Sequence, residues 1–170
     1  MSGGSGILDI ERRVENAVIE RLRGFTDVIN LLKSGAASVM KKKDASVTAE
    51  YPSVYVEAYN FAEYGRHTGN YMGGIRFGAV TYRADDLNRE IAKSILGGFR
   101  SFLQQVDLVS LLNGTVSAQT FGSLVWFFSV ELDMFGSGGN AAFFEADEVA
   151  TNRKWEAVQE VACVVAPSRP

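Results

Sequence analysis

The segment IRFGAVTYRADDLNREIAKSIL, residues 75–96, changes its hydrophobic period halfway along its length. Its first part, residues 75–83, is rich in the β-branched and aromatic side chains that are typical of a strand. From Leu87 onward, apolar residues recur every three or four positions, which predicts an amphipathic helix. Two adjacent acids, Asp85 and Asp86, lie between the two patterns and are flanked by arginines. The segment therefore predicts a strand that runs almost directly into a helix.

The acid pair Asp85 and Asp86 has two interpretations. Adjacent carboxylates beside arginines suit acid/base or metal chemistry. Aspartate is also favoured at the start of a helix, where its carboxylate accepts hydrogen bonds from exposed N–H groups and meets the positive end of the dipole. The capping box is incomplete, because Asn88 and Arg89 occupy the positions where Glu or Gln would complete it. Capping is the favoured interpretation, because the pair lies where the period changes.

The composition is that of a single globular domain. The chain has 170 residues, of which 46% are hydrophobic and 22% charged, enough for a substantial core. A net charge of −3 provides no basic field to attract nucleic acid. The single cysteine, Cys163, excludes an internal disulfide and fits a reducing compartment. We expect no membrane helix and no secretory signal, because no apolar run reaches about 20 residues and the N-terminus lacks a basic start.

Upstream of the joint between this strand and this helix, the pattern predicts one further helix and a strand that completes a hairpin. Apolar residues from Ile7 to Leu32 form one helical stripe, with a possible break at Gly24. Residues 34–50 lack a clear period and predict a long loop with a short edge strand. Residues 53–61 resemble a strand, and we expect them to pair with residues 75–83 around a glycine-rich loop.

Downstream, helical spacing continues to Asn113–Gly114, which we expect to end the helix. Residues 123–135 alternate strictly and predict a strand, residues 141–152 predict an acidic loop or short helix, and residues 153–166 predict a last strand. The predicted fold is α+β, with two helices packed on a mostly antiparallel four-stranded sheet and long loops. We expect a flexible leader at residues 1–6, one domain at 7–166 and a C-terminal tail at 167–170.

The remaining reactive residues do not form a convincing site. His67 is the only histidine and Cys163 the only cysteine, so a metal cluster is not expected, although a Cys–His nucleophilic pair is formally possible. The glycine-rich stretches lack the Lys-Ser/Thr of a phosphate loop. We therefore predict no catalytic residues, no metal and no cofactor.

The order of elements resembles the tail terminator, or tail completion, proteins of long-tailed bacteriophages. The resemblance rests on five stretches spread over residues 7–166, which form a pattern of elements rather than a signature motif. They are IERRVENAVIERLRG (10–24), YPSVYVEAY (51–59), VTYRADDLNREIAKSIL (80–96), VSLLNG (109–114) and RKWEAVQEVACVVA (153–166). The long loops at residues 34–50 and 61–74 depart from the compact members of that family.

The resemblance implies a structural virion protein that acts without catalysis. Such a subunit forms a ring, commonly a hexamer, that caps the tail tube, stops tail growth and gives the head–neck complex a docking face. The implied partners are further copies of the chain, the tail tube protein and head–tail connector or neck proteins, with DNA passing through the lumen without sequence-specific contacts and with no membrane contact. The implied location is the virion tail or neck, after assembly in the host cytoplasm.

Loops and charged runs are the candidate assembly contacts, because a closed ring needs two different complementary surfaces. The candidates are Lys41, Lys42, Lys43, Arg66, Tyr71, Phe143, Phe144, Glu145, Asp147 and Glu148. For the lysines the alternative is an ordinary solvated loop, and for the two phenylalanines it is a place in the core of their own subunit. For the whole protein the alternatives are another neck component or, from a different class, a small enzyme or ligand-binding domain that uses the Asp85/Asp86 region and His67.

Overall fold

The computed structural model describes residues 9–42, 50–63, 70–117, 120–121, 124–125, 127–134, 140–145 and 154–168. In these residues there are four α-helices: α1 (Ile10–Arg23), α2 (Thr26–Ile29), α3 (Glu90–Leu103) and α4 (Leu108–Ser117). Short 3₁₀ helices cover Gly35–Ser38 and Arg83–Asp85. The strands are β1 (Val39–Lys41), β2 (Ser53–Glu63), β3 (Tyr71–Tyr82), β4 (Thr120–Phe121), β5 (Leu124–Val125), β6 (Phe127–Met134), β7 (Asn140–Glu145) and β8 (Lys154–Ser168).

One six-stranded sheet organises the fold, and its order is β1-β2-β3-β8-β6, with β7 also paired to β8. Only the β1–β2 pair is parallel. Both β6 and β7 pair with the same edge of β8, because Met134 is opposite Val161 and Asn140 is opposite the adjacent Glu160. The two strands are therefore two halves of one edge, interrupted between residues 134 and 140.

The core lies between one face of this sheet and the helices. The predicted stripe on α1 is buried, including Val14, Val18 and Leu22. On α3, the Phe99 ring lies 5.4 Å from the Phe77 ring of β3. A side chain of this size contributes several kcal/mol when it is fully buried in such a cluster.

Three glycine positions in the helical segments have different outcomes. α1 ends at Arg23, and Gly24 occupies the C-cap position, so the break expected at Gly24 is confirmed. In α3, a Cβ atom on Gly98 would lie 2.7 Å from Cγ2 of Val28, so the glycine permits the close approach of α2. Asn113–Gly114 lies inside α4, which continues to Ser117, so the stop predicted there was wrong.

The α+β class and the mostly antiparallel sheet are confirmed, and the four predicted strands correspond to β2, β3, β6 and β8. The sheet has two further strands. β1 is the short edge strand expected within residues 34–50. β7 corrects the prediction of an acidic loop or short helix, because residues 140–145 pair with β8 along their whole length.

Two predicted boundaries also move. The strands of the hairpin extend to Glu63 and resume at Tyr71, so residues 61–63 and 71–74 of the predicted loop lie in strands. β8 continues through Pro167 and Ser168, which pair with Phe128 and Phe127, so this strand includes the first part of the predicted C-terminal tail. The predicted leader, residues 1–6, lies outside the described residues.

Candidate functional site

The acid pair at the strand–helix joint is divided between two environments. Asp86 is buried, and its carboxylate accepts hydrogen bonds from the backbone N–H groups of Ile91 (2.9 Å) and Ala92 (3.1 Å) and from the Thr81 hydroxyl (3.0 Å). Asp85 is exposed at the end of a 3₁₀ helix. Asp86 therefore caps the first turn of α3, as the favoured interpretation predicted.

The two other reactive residues give no pair. Cys163 is fully buried on the helix side of β8, and burial raises the pKa of its thiol to about 12, so the thiol is protonated at neutral pH. His67 lies outside the described residues. Within the part of the chain that the structure describes, no three His, Cys, Asp or Glu side chains are grouped so as to hold a metal ion.

Apart from Tyr71, the predicted contact residues fall into three groups. The lysines at the end of β1 have partners within the chain: Lys41 Nζ lies 2.6 Å from Glu15 Oε2, and Lys42 Nζ lies 3.7 Å from Glu57 Oε1. Tyr71 begins β3 and packs half-buried against the core. The second group is in β7, where Phe143, Phe144 and Glu145 pair through the backbone with Ala157, Glu156 and Trp155. The third group, Lys43, Arg66, Asp147 and Glu148, lies outside the described residues.

Side chains of α1 bind part of the β1–β2 edge of the sheet. The Arg23 guanidinium donates two hydrogen bonds to the Val39 carbonyl, at 3.0 and 2.8 Å. Glu15 accepts the Ala58 N–H of β2 at 3.0 Å through Oε1 and binds Lys41 through Oε2. Edge strands with satisfied backbone groups and charged side chains resist pairing with other chains.

The opposite edge is longer and carries no further strand. It consists of the eight residues of β6 and the six of β7. In the described part of the chain, no strand pairs with the outer side of either one. Of the hairpin strands, which the sequence suggested as edges for assembly, β3 is covered by β8 along its whole length, whereas β1 covers only Val54–Val56 of β2. The β6–β7 edge is therefore the longer of the two open edges of this sheet in the described residues.

A basic cleft beside Trp155 is a feature that the sequence interpretation missed. It has a volume of about 400 Å³, and it is lined by Arg83, Leu87, Asn88, Arg89, Lys93 and Trp155. The guanidinium carbon atoms of Arg83 and Arg89 lie 5.2 and 4.1 Å from the centre of the Trp155 ring. The arginines beside the acid pair were the available signal, but Trp155 is distant in sequence and only the fold brings it to them.

None of the helices in the described part of the chain is long and apolar enough to cross a membrane. No protein-family model matches the sequence, and no curated protein was found to match it.

Proposed function

We propose that this protein is a structural subunit of a phage tail terminator ring. The ring caps the tail tube, stops tail growth and offers a docking face to the head–neck complex, and the subunit acts by surface complementarity without a cofactor. The open β6–β7 edge carries this proposal. A ring needs head-to-tail contacts between two different surfaces, and one long open edge opposite a shorter, partly covered one gives the subunit that asymmetry.

The open edge is suited to a backbone-mediated contact. Fourteen strand residues in β6 and β7 alternate the direction of their N–H and C=O groups, so half of these groups point away from β8. A neighbouring chain that supplies a strand to this edge would satisfy them, as in β-strand addition. The runner-up within the same class, another neck component, would use the same edge with a different partner.

Oligomeric state is the direct test. We expect light scattering and electron microscopy to show closed rings, either of the protein alone or on the ends of purified tail tubes. A strict monomer that forms no ring even with tail tubes present would contradict the proposal. A symmetric dimer would also contradict it, because self-pairing of one edge is isologous and does not build a ring.

A pair of proline variants tests whether the open edge makes the contact. Val130 and Glu131 are adjacent in β6, so the N–H of one faces β8 and the N–H of the other faces outward. Val130→Pro and Glu131→Pro each remove the backbone N–H at the substituted position. We expect the outward-facing variant to melt close to the native temperature without forming rings, and its neighbour to lose stability. Rings from a folded outward-facing variant would rule out this edge as the contact.

A further inference from the structure

The two halves of the β6–β7 edge are held in place differently. β6 pairs with β8 and also packs beside α4. α4 is in turn fastened to α1, because the Arg21 side chain donates a hydrogen bond to the Thr115 hydroxyl at 2.7 Å, and Leu108 and Leu112 are buried in the core. Among the described elements, β8 is the one close neighbour of β7. β7 therefore depends on its pairing with β8 more than β6 does.

A buried amide lies in the part of β8 that β7 covers. Gln159 is fully buried, and it is opposite Phe77 of β3 on one side and Ala141 of β7 on the other. It points to the helix side of the sheet, as does its alternate neighbour Val161 in the core. Within the described residues its Oε1 atom accepts no hydrogen bond, and its Nε2 atom makes one long hydrogen bond, 3.4 Å, to the Glu160 carbonyl. The amide is thus poorly satisfied in the closed sheet.

The helix-side residues of β8 differ between the two halves of the edge. Beside β6 they include the fully buried apolar residues Val161, Cys163 and Val165. Release of β6 would expose this apolar surface to water, which is unfavourable. Beside β7 they are Trp155, Ala157 and Gln159. The Trp155 indole keeps its hydrogen bond to the Asp86 carbonyl without β7. Release of β7 opens this part of β8 to water, which can satisfy the Gln159 amide and so offsets part of the cost of opening.

We propose that β7 is a detachable edge strand, which leaves β8 and pairs with it again as a unit while β6 stays in the sheet. Local opening of this kind is characteristic of elements with few buried neighbours of their own. While β7 is released, the edge proposed above as the ring contact keeps the eight residues of β6 and loses the six of β7. Opening therefore regulates how much of that edge is available to a neighbouring copy. This regulatory step rests on the proposed function, whereas the opening itself does not.

Residue-resolved hydrogen exchange measures the opening in the free subunit, at a concentration below that of ring formation. We expect the β8-facing amides of β7 to be protected at least about tenfold less than the β8-facing amides of β6. Low urea concentrations should reduce protection of the β6 amides more, because these amides exchange through global unfolding, which uncovers more surface. Equal protection of the two halves, with equal responses to urea, would overturn the proposal.

Two substitutions separate local opening from global unfolding. Gln159→Met keeps an unbranched side chain of similar length without the unpaired oxygen, so protection of the β7 amides should rise about tenfold. Val14→Ala is the control: Val14 is buried on α1, and its truncation should lower protection of the β6 amides about tenfold while leaving the β7 amides unchanged. Unchanged β7 protection in Gln159→Met would show that the amide does not promote opening. Equal losses in both halves with Val14→Ala would show that β7 does not open by itself.

A reversible crosslink tests the regulatory step. Ala142 of β7 is opposite Val158 of β8, so the paired substitutions Ala142→Cys and Val158→Cys allow oxidation to hold β7 in place. We expect the oxidised protein to form rings at a lower concentration than the same protein after reduction, because its contact edge is always complete. Equal assembly of the two forms would overturn regulation by β7. Absence of rings from both forms and from the native protein would contradict the ring proposal instead, and the exchange result would stand separately.

Discussion

The two faces of the central strands are built differently. On the helix side, aligned rows such as Val54–Ala79–Ala157 and Ala58–Ile75–Val161 are buried under α1 and α3. On the far side, the same strands carry tyrosines opposite glycines and a row of alternating charge. The helix face tolerates substitutions that conserve side-chain volume, whereas the far face depends on particular pairs of residues on neighbouring strands.

The row of charges on the far face shows this dependence. Glu57, Arg76 and Glu160 are direct neighbours across β2, β3 and β8. Arg76 lies 3.0 Å from the Glu57 carboxylate and 2.8 Å from that of Glu160. All three side chains are about a quarter exposed, so each pair contributes modestly to stability. A slip of one residue would place Arg76 opposite Val56 or Ala58 of β2 and so break the charge pairing, and the row therefore favours the observed register.

The tyrosines fill space that the glycines leave empty. Tyr55 is opposite Gly78, and Tyr59 is opposite Gly74. A Cβ atom on Gly78 would overlap the Tyr55 ring, and one on Gly74 would lie 2.5 Å from Cζ of Tyr59. Tyr55 is nearly buried, and its hydroxyl donates to the Glu156 carboxylate. The ring has little freedom to move aside.

The largest expected effect is therefore that of Gly78→Ala, the smallest change that tests the far face. We expect it to lower the free energy of unfolding by about 3 kcal/mol, because the added methyl displaces a buried and hydrogen-bonded ring. Urea unfolding measures the change. Gly97→Ala in α3 is the control: outside its own helix backbone, no atom of the described residues lies within 4 Å of its Cβ position, and the substitution should stabilise the protein by about 0.5 kcal/mol.

The cause of that loss is open to a double-mutant test. In a Tyr55→Ala background the ring is gone, and Gly78→Ala should then cost less than about 0.5 kcal/mol. If Gly78→Ala costs the same in both backgrounds, the glycine is required for a reason other than the tyrosine, and the contrast between the faces loses its main support.

A smaller effect is expected at the joint that attaches α3 to the helix face. Asp86→Ala should destabilise by about 2 kcal/mol, since it leaves two backbone N–H groups and a buried hydroxyl without their acceptor. Thermal melting measures it. The exposed neighbour gives the control, and Asp85→Ala should change stability by less than about 0.5 kcal/mol. Equal losses at both positions would contradict the assignment of the cap to Asp86 alone.

The sequence predicted what depends on neighbours along the chain. The change of period, the cap at Asp86 and the apolar stripe of α1 are local features, and a single window of sequence contains the information for each. The α+β class follows from the same windows, because four strand patterns and two helical ones have few ways to bury their apolar sides.

The features that were missed depend on contacts between distant segments. β7 is a strand because β8 offers it an edge, although its own sequence also suits a loop. The pairing of Tyr55 with Gly78 needs the register of the hairpin, and the cleft needs Trp155 of β8 beside Arg83 and Arg89. The pattern within one segment does not specify which other strand that segment will pair with.

The smallest effect concerns pH, because each face buries a group that ionises in alkali. On the helix face, burial raises the pKa of the Cys163 thiol to about 12. On the far face, the pKa of Tyr55 is raised mainly by burial and, to a smaller extent, by the hydrogen bond to Glu156. Both groups keep their protons longer in the folded state than in the unfolded state. Their contribution is complete below the unfolded pKa and is lost as pH rises toward the folded value.

Between about pH 9 and pH 10, the thiol alone should lower the free energy of unfolding by about 1 kcal/mol. Urea unfolding at a series of alkaline pH values measures this slope, with each variant compared with itself at about pH 8 so that the cost of the substitution cancels. Cys163→Ala should flatten the slope from about pH 9, whereas Tyr55→Phe should flatten it only from about pH 10, because an unfolded tyrosine ionises later. If the slope is unchanged in Cys163→Ala, the thiol ionises as readily in the folded protein as in the unfolded one. The helix face would then accommodate a buried thiolate, contrary to what its packing indicates.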